Sequence, residues 1–398
     1  MEQQIAHIAA QRVEHVTGRR HAGDAAETVI SRDQFAAAWD EITSWPGYAP
    51  TPLHNLTTLA KHIGVADIHY KDEGPRFGLG SFKALGAAYA ALTLLEREIA
   101  VRTGKPVSRE DIKEGRAVEA AAGITLCSAT DGNHGRSLSW GCQRFGAPCR
   151  IYIHAEVSEA RADAMRAFGT DVIRIDGDYD ESVRLCRDEA DANGWFVVSD
   201  TSWEGYTEPP RDVMAGYGVM AGETAKALPA PPTHVFVQGG VGGYAAAVAA
   251  YFRQHWGTNA PRVVAVEPDR AACLYASGAA GKLTAVQIEE ETIMAGLSCG
   301  EPSPLAWDIL AEEVLDFLRI PDEMVGPTMR LLANPLEGDP KIEAGESAVG
   351  ALAALIAARS NPELSAQLGL DASSRVVMFG TEGVTDPEIF ARIMAEAD

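Results

Sequence analysis

The 398-residue chain is too long for one small core and fits two or three domains or an interleaved pair. Its residues are 46% hydrophobic and 23% charged, as in an ordinary globular protein, and 34 basic against 56 acidic residues give a net charge of −22. That excess argues against nucleic acid or an anionic membrane as the main partner and leaves small molecules as the expected ligands. No apolar run is long enough to span a bilayer and the N-terminal stretch lacks the apolar core of a secretory signal, so a cytoplasmic protein is expected. The cysteines (Cys127, Cys142, Cys149, Cys186, Cys273, Cys299) show neither C-x-x-C pairing nor nearby histidines, so no metal site is expected. They read as reduced thiols, with a Cys273–Cys299 bridge as a conjecture because both flank loop-like stretches.

Residues 1–45 read as amphipathic helical scaffold around a charged patch near Arg19 to Asp24. A turn at Pro50-Thr51-Pro52 and a short strand in IGVADIHYKDE lead into GPRFGLGSFKALG. Ser81 is placed to cap the Ala-rich helix that follows and ends near Gly104, which puts Lys83 in its first turn. There the orphan amides and the positive end of the dipole disfavour an ammonium and keep the amine nucleophilic, able to form Schiff bases. Taken alone, Lys83 reads more simply as a solvated surface lysine. Ser108 opens a further short helix with a capping-box signature.

From residue 122 strands and helices alternate: GITLCSAT, a helix over 134–145, CRIYIHA, a helix in SEARADAMRAFG ending before Gly169, TDVIRID, a helix over 180–193, and WFVVSD. The Pro-rich LPAPPT precedes a second series: HVFVQ, a helix from Tyr244, RVVAVEP, mixed helices to about residue 360, and the strand in SRVVMFG. Alternation of this kind predicts parallel βαβ units and an α/β fold in two halves.

Four stretches at strand ends carry polar or glycine-rich character. Gln238-Gly239-Gly240-Val241-Gly242-Gly243 lies between a strand and a helix, where backbone amides can cradle a phosphate, or where glycines merely allow tight packing. Its spacing matches neither G-x-G-x-x-G nor a P-loop. Ser128-Ala129-Thr130-Asp131-Gly132-Asn133-His134-Gly135 sits where α/β sheets place ligand loops, though in isolation it is a capped turn. Ser199-Asp200-Thr201-Ser202-Trp203-Glu204-Gly205-Tyr206 brings a second carboxylate, and Gly380-Thr381-Glu382-Gly383-Val384-Thr385-Asp386 supplies hydroxyls.

The order of these stretches says more than any one of them. S-F-K, then S-x-T-x-G-N-H-G, then the glycine turn, then a Thr-rich turn resembles the fold-type II enzymes that use pyridoxal 5′-phosphate (PLP), the group of threonine dehydratase and the tryptophan synthase β chain. Within that group the chain from about Pro50 onward resembles the diaminopropionate ammonia-lyases, on KDEGPRFGLGSFKALG, SATDGNHGRS, DTSWEGY, TIMAGLSCGEPSPLAW (292–307) and GTEGVTD.

The resemblance implies that Lys83 joins PLP through a Schiff base, that Phe82 packs against the cofactor and that Asn133 meets the pyridoxal hydroxyl. Gly239, Gly240, Val241, Gly242 and Gly243 would hold the phosphate. The wider group often has Ser where Gly380 stands, so Thr381 or Thr385 would face the pyridine nitrogen. Loop amides around Ser128 to Thr130 would bind the substrate carboxylate. Lys83 would remove the α-proton of an L substrate and Asp131 that of a D substrate, with Asp131 or Asp200 protonating the leaving amine. The implied reaction is elimination of ammonia from 2,3-diaminopropionate, giving pyruvate and two ammonia.

Rival readings are a serine or threonine dehydratase, which GSFK resembles somewhat more, and a PLP-binding or nucleotide-sensing regulatory module without turnover. The chain ends 13 residues after Thr385, leaving no room for a C-terminal sensing domain. The resemblance also implies a homodimer, and two open α/β domains with the cofactor in the cleft between them. The larger would comprise residues 1–83 and 215–398, and the smaller residues 84–214.

Overall fold

A computed structural model describes residues 2–18, 23–130, 132–177 and 179–396. Its strands are β1 (Glu14–Thr17), β2 (Leu53–Asn55), β3 (Asp67–Asp72), β4 (Leu126–Ala129), β5 (Cys149–Ile153), β6 (Asp171–Arg174), β7 (Phe196–Val197), β8 (His234–Gln238), β9 (Arg262–Pro268), β10 (Val314–Ile320) and β11 (Arg375–Gly380). They form a seven-stranded sheet in the order β1-β10-β9-β8-β11-β3-β2 and a four-stranded sheet in the order β6-β5-β4-β7. The inner pairings are parallel, as expected of βαβ units. The edge strands β1 and β2 pair antiparallel with β10 and β3.

Central strands buried on both faces read as unbroken apolar runs: every residue of β8 is buried, and so are six of seven in β9. The helix Lys83–Thr103 runs through the interior and buries Ala84, Leu85, Ala87, Ala88, Leu92 and Leu95. It stops at Gly104, as the sequence predicts, with φ +67°. Its small residues let neighbouring helices approach closely. A Cβ on Gly216, in the helix Glu208–Ala227, would stand 2.2 Å from the Leu85 carbonyl. Truncating fully buried Leu85 or Leu92 to Ala should cost about 2–5 kcal/mol.

Four strands depart from the sequence reading. β1 is four half-buried or exposed residues inside a stretch expected to be helical; it is held by the edge of β10 and not by its own pattern. β2 is three residues long. β10 follows the helix Pro304–Glu313 with no glycine or proline between them, so nothing local marks where the period changes. The predicted strand WFVVSD is only two residues long as β7, although Val198 N–H still donates to Cys127 O at 2.8 Å before the chain leaves for the site described next.

Candidate active site

β3 delivers the Lys83 loop, and the charged residues of KDEGPR are consumed beneath it. Lys71 Nζ donates to Glu223 Oε2 at 2.6 Å and to the Thr51 carbonyl at 2.7 Å. Arg76 forks between Glu73 (2.8 Å) and Glu223 (2.8 Å). Two cations and two carboxylates, all buried, thus neutralise one another and lock the loop's base. Above them Phe77 is the single non-glycine residue with left-handed φ (50°) among the described residues; its ring lies 5.1 Å from that of Trp140.

Ser81 does not cap the helix. Phe82 occupies the cap position in right-handed helical geometry, and no side chain supplies the bond. Ser81 instead pairs with Glu382 in an antiparallel bridge, flanked by Phe82 N–H to Thr381 O (3.1 Å) and Gly383 N–H to Gly80 O (2.9 Å). That bridge joins the S-F-K loop to the GTEGVTD turn.

Lys83, as predicted, stands in the first turn of its helix. Its Nζ donates to Asp200 Oδ2 and lies 5.4 Å from the centre of the Phe82 ring and 5.9 Å from that of Tyr217. The Asp200 loop is anchored by Tyr206, whose hydroxyl accepts from Ser199 N–H (3.0 Å) and donates to Val197 O (2.9 Å). His134 Nε2 bonds the Val198 carbonyl at 2.8 Å and turns Nδ1 to within 3.9 Å of Asp200 Oδ2. Burial by itself would raise the Asp200 pKa, but Lys83 and then His134 outweigh it and hold the carboxyl well below the usual carboxylate range. Asp200 is therefore a carboxylate at neutral pH. His134, which in isolation reads as a capping residue, belongs to this charge cluster.

Lys83, Phe82, Asn133, His134, Asp200, Gly239, Gly240, Val241, Gly243 and Thr381 line one cleft of roughly 310 Å³. Gly240 and Gly242 have φ of +67° and +96°, which turns the chain directly into the helix Gly243–Trp256. The amides of Gly240, Val241, Gly242 and Gly243 meet no backbone acceptor among the described residues, and they converge at the positive end of that helix. Gly239 differs from the implied role: its N–H is bound to Val266 O at 2.8 Å within the sheet. Its lack of a side chain instead makes room for Glu267, whose Cγ lies 2.4 Å from where a Cβ would be. The glycine turn thus packs tightly at Gly239 and presents amides without backbone acceptors at 240–243.

The expected carboxylate site at Ser128 to Thr130 is not available as described. Ser128 is fully buried within β4 and does not line the cleft; the Thr130 N–H donates to Tyr152 O at 3.1 Å. Thr130 Oγ1 accepts from Gly132 N–H at 3.2 Å. Asn133 begins the helix Asn133–Phe145 and lines the cleft. Asp131 lies outside the described residues. Asn133 Nδ2 donates to the buried Glu382, whose other oxygen accepts from Ser347 N–H at 3.0 Å. Sequence reading missed Glu382, because its partner is 249 residues away.

The two threonines separate: Thr381 lines the cleft, whereas Thr385 lies against Gly80 outside the lining. Gly380 cannot take a serine side chain in place, since a Cβ there would stand 2.2 Å from the ring of Tyr70. All six cysteines are thiols, so the conjectured Cys273–Cys299 bridge is absent; Cys273 Sγ instead donates to Gly240 O at 3.5 Å. No group of three or more metal-ligating side chains and no helix long and apolar enough to cross a membrane occurs among the described residues.

A family model described as pyridoxal-phosphate dependent enzyme matches residues 44–381. The diaminopropionate ammonia-lyase of Escherichia coli strain K12 is 38% identical over 358 residues, covering 88% of each chain. A crystal structure of the Escherichia coli enzyme in complex with an aminoacrylate-PLP azomethine reaction intermediate aligns with a TM-score of 0.87 at 35% identity over 97% of both chains. A biosynthetic L-threonine dehydratase from Mycobacterium leprae is 28% identical over 60% of this chain and 48% of its own. The chain therefore belongs to the pyridoxal-phosphate dependent enzymes and, among them, to the diaminopropionate ammonia-lyase family.

Proposed function

We propose that this chain eliminates ammonia from 2,3-diaminopropionate, giving pyruvate and two ammonia, with PLP as cofactor. The observation that carries the reading is the juxtaposition, in one cleft, of an amine held by a carboxylate and a turn of unused backbone amides. The residues present fit PLP. Four N–H groups without backbone acceptors at a helix N-terminus suit a phosphate dianion; Lys83 offers the amine, Asn133 an amide and Thr381 a hydroxyl. Thr381 is our choice over Thr385 because it alone of the two lines the cleft. When bound, the cofactor supplies an electron sink for the negative charge left at the substrate Cα.

The chain's own groups then divide the remaining work. Lys83 Nζ, released when the substrate amine takes its place, removes the α-proton of the L-isomer. The start of the helix at Asn133 orients the substrate carboxylate. Asp200, kept ionised by its neighbours, binds the substrate's β-ammonium and preserves the proton that makes ammonia a leaving group. This assigns Asp200 to holding charge and leaves proton delivery to other groups. A serine hydroxyl offers no such charge, which favours the diamine. Asp131 is assigned to the D-isomer by its motif, and Asp131→Asn should impair the D-isomer far more than the L-isomer; equal losses would remove that role.

Pyruvate and ammonia measured together across diaminopropionate, serine and threonine test the reaction. Two ammonia per pyruvate from diaminopropionate is expected; one per pyruvate, with serine preferred, would make the protein a dehydratase.

We further assign residues 84–214 to a smaller domain inserted in a larger one of 1–83 and 215–398. In support, the four-stranded sheet is built wholly from residues 126–197 and the seven-stranded sheet wholly from strands outside them. A cytoplasmic homodimer completes the reading, on the family resemblance and the acidic composition. Sedimentation at twice the chain mass is the expected result.

A further inference from the structure

Two of the stretches that carry the family resemblance, DTSWEGY and TIMAGLSCGEPSPLAW, have one residue each whose function the cleft does not use: Ser202 and Ser303. Both are buried, at 5% and 1% exposure. Ser303 precedes Pro304 at the head of the helix Pro304–Glu313, the place where a serine ordinarily accepts from an amide two or three residues on. It does not do so. The Leu305 N–H donates to Ser202 Oγ instead, at 2.9 Å, so Ser202 caps that helix from a distant loop. Ser303 Oγ in turn accepts from Ser202 N–H at 3.1 Å and lies 2.8 Å from Ser202 Oγ. The Ser303 N–H donates to Val241 O, in the middle of the glycine turn, at 2.8 Å.

The exchanged caps form a short buried path. It starts at the turn whose amides face the cleft, passes through Ser303 and Ser202, and ends two residues from Asp200, the partner of Lys83. The contact is reinforced at Gly243, where a Cβ would stand 3.2 Å from the Asp200 carbonyl oxygen. Buried hydrogen bonds that are fully made have little freedom to lengthen, so a shift of the turn on binding an anion must be transmitted or absorbed by strain.

We propose that Ser202 and Ser303 are positioning residues that couple occupancy of the anion cradle at 240–243 to the placement of Asp200, and through it to the reactivity of Lys83. The proposal rests on the PLP reading above. It predicts that the phosphate does more than anchor the cofactor: its arrival sets the Asp200–Lys83 pair. Neither serine touches the reacting atoms, and neither is expected to contact substrate.

Pyridoxal, which lacks the phosphate, and inorganic phosphate separate the two sites. The rate at which Lys83 captures pyridoxal is followed by absorbance across pH, with and without inorganic phosphate, in the wild type, Ser303→Ala, Ser202→Ala and Ser303→Thr. In the wild type, phosphate should change the capture rate about tenfold, the size of one buried hydrogen bond made or lost, and move its pH profile. In either alanine variant, saturating phosphate should leave rate and profile unmoved, while Ser303→Thr, which keeps the hydroxyl, should restore the response. Weaker phosphate binding in an alanine variant with no response at saturation still supports the coupling. A full response recovered at saturation would overturn it, since the serines would then only shape the turn. A wild type that captures pyridoxal but ignores phosphate would overturn it as well. A wild type that captures neither pyridoxal nor PLP would instead remove the cofactor reading itself. Thermal melts of each variant identify any that fail to fold, and the remaining serine variant then decides.

Discussion

Lys71 and Lys83 stand twelve residues apart on either side of one loop, both paired with a carboxylate, and they do opposite things. The Lys71 side chain is 2% exposed and bonded to Glu223 and a carbonyl within a network that also takes in Arg76 and Glu73. The Lys83 side chain is 20% exposed, against an Asp200 that is 16% exposed, and both open onto the cleft. Salt-bridge distance does not distinguish them. What does is whether the charges are sealed among fixed partners or face a space that a ligand can enter. A sealed pair sets the backbone; an open one is available to chemistry.

The sharpest way to break this comparison is to exchange the losses. Lys83→Ala should abolish turnover and the visible absorbance of the lysine-linked cofactor, yet lower unfolding free energy less than loss of Lys71 does, since the Lys83–Asp200 pair borders the cleft and is less buried than the Lys71–Glu223 pair. Next in size, Asp200→Asn should lower kcat/KM for diaminopropionate by about 10–100-fold, the loss of a charge-assisted bond to the substrate's ammonium, with stability near that of the wild type. Lys71→Met should do the reverse: turnover per folded molecule persists, while denaturant unfolding reveals a loss of about 3–5 kcal/mol, because Arg76 alone then faces the two buried carboxylates Glu73 and Glu223. Gly380→Ser, which pushes into Tyr70, should cost about 1–3 kcal/mol by overpacking and should not create a better cofactor site.

The smallest effects are those of pH, and they also separate buried groups by partner. Asp200 has a depressed folded-state pKa, so its stabilisation is present above the ordinary carboxylate range and is lost only as pH falls through that lower value. Its pair with Lys83 should stay intact throughout mildly acid solution. Glu346 has the opposite sign: burial first and Glu382 second push it up to about 7, against the pull of Arg161. The folded state then binds its proton more tightly than the unfolded chain, so stability should fall as pH rises from the ordinary carboxylate range to about 7 and level off above it. Glu346→Gln should flatten that slope in melts taken across the range.

The same contrast explains what the sequence could and could not tell. Strands β8 and β9, the helix from Lys83 to Gly104 and the glycine turn are written in local pattern, and each forms close to where it is expected. The two pairings between Lys71 or Arg76 and Glu223 are not, because charges on KDEGPR look alike whether they meet water or a residue some 150 positions away. Ser81 failed as a cap for a related reason: its backbone is claimed by Glu382, from the far end of the chain. Thr381 and Thr385 look alike in sequence; only the folded chain sets Thr381 in the cleft wall and Thr385 against Gly80. Likewise nothing local in Ser128 to Thr130 marks that the Thr130 amide is taken by Tyr152 of β5, which pairs with β4.

Covalent trapping addresses the difference between the two lysines most directly. The protein loaded with PLP is reduced with borohydride, digested and mapped by mass spectrometry. A pyridoxyl label on Lys83, with Lys71 unmodified, is the predicted result. A label on any other lysine, or none after the cofactor has bound, would contradict the assignment of Lys83 as the anchoring amine.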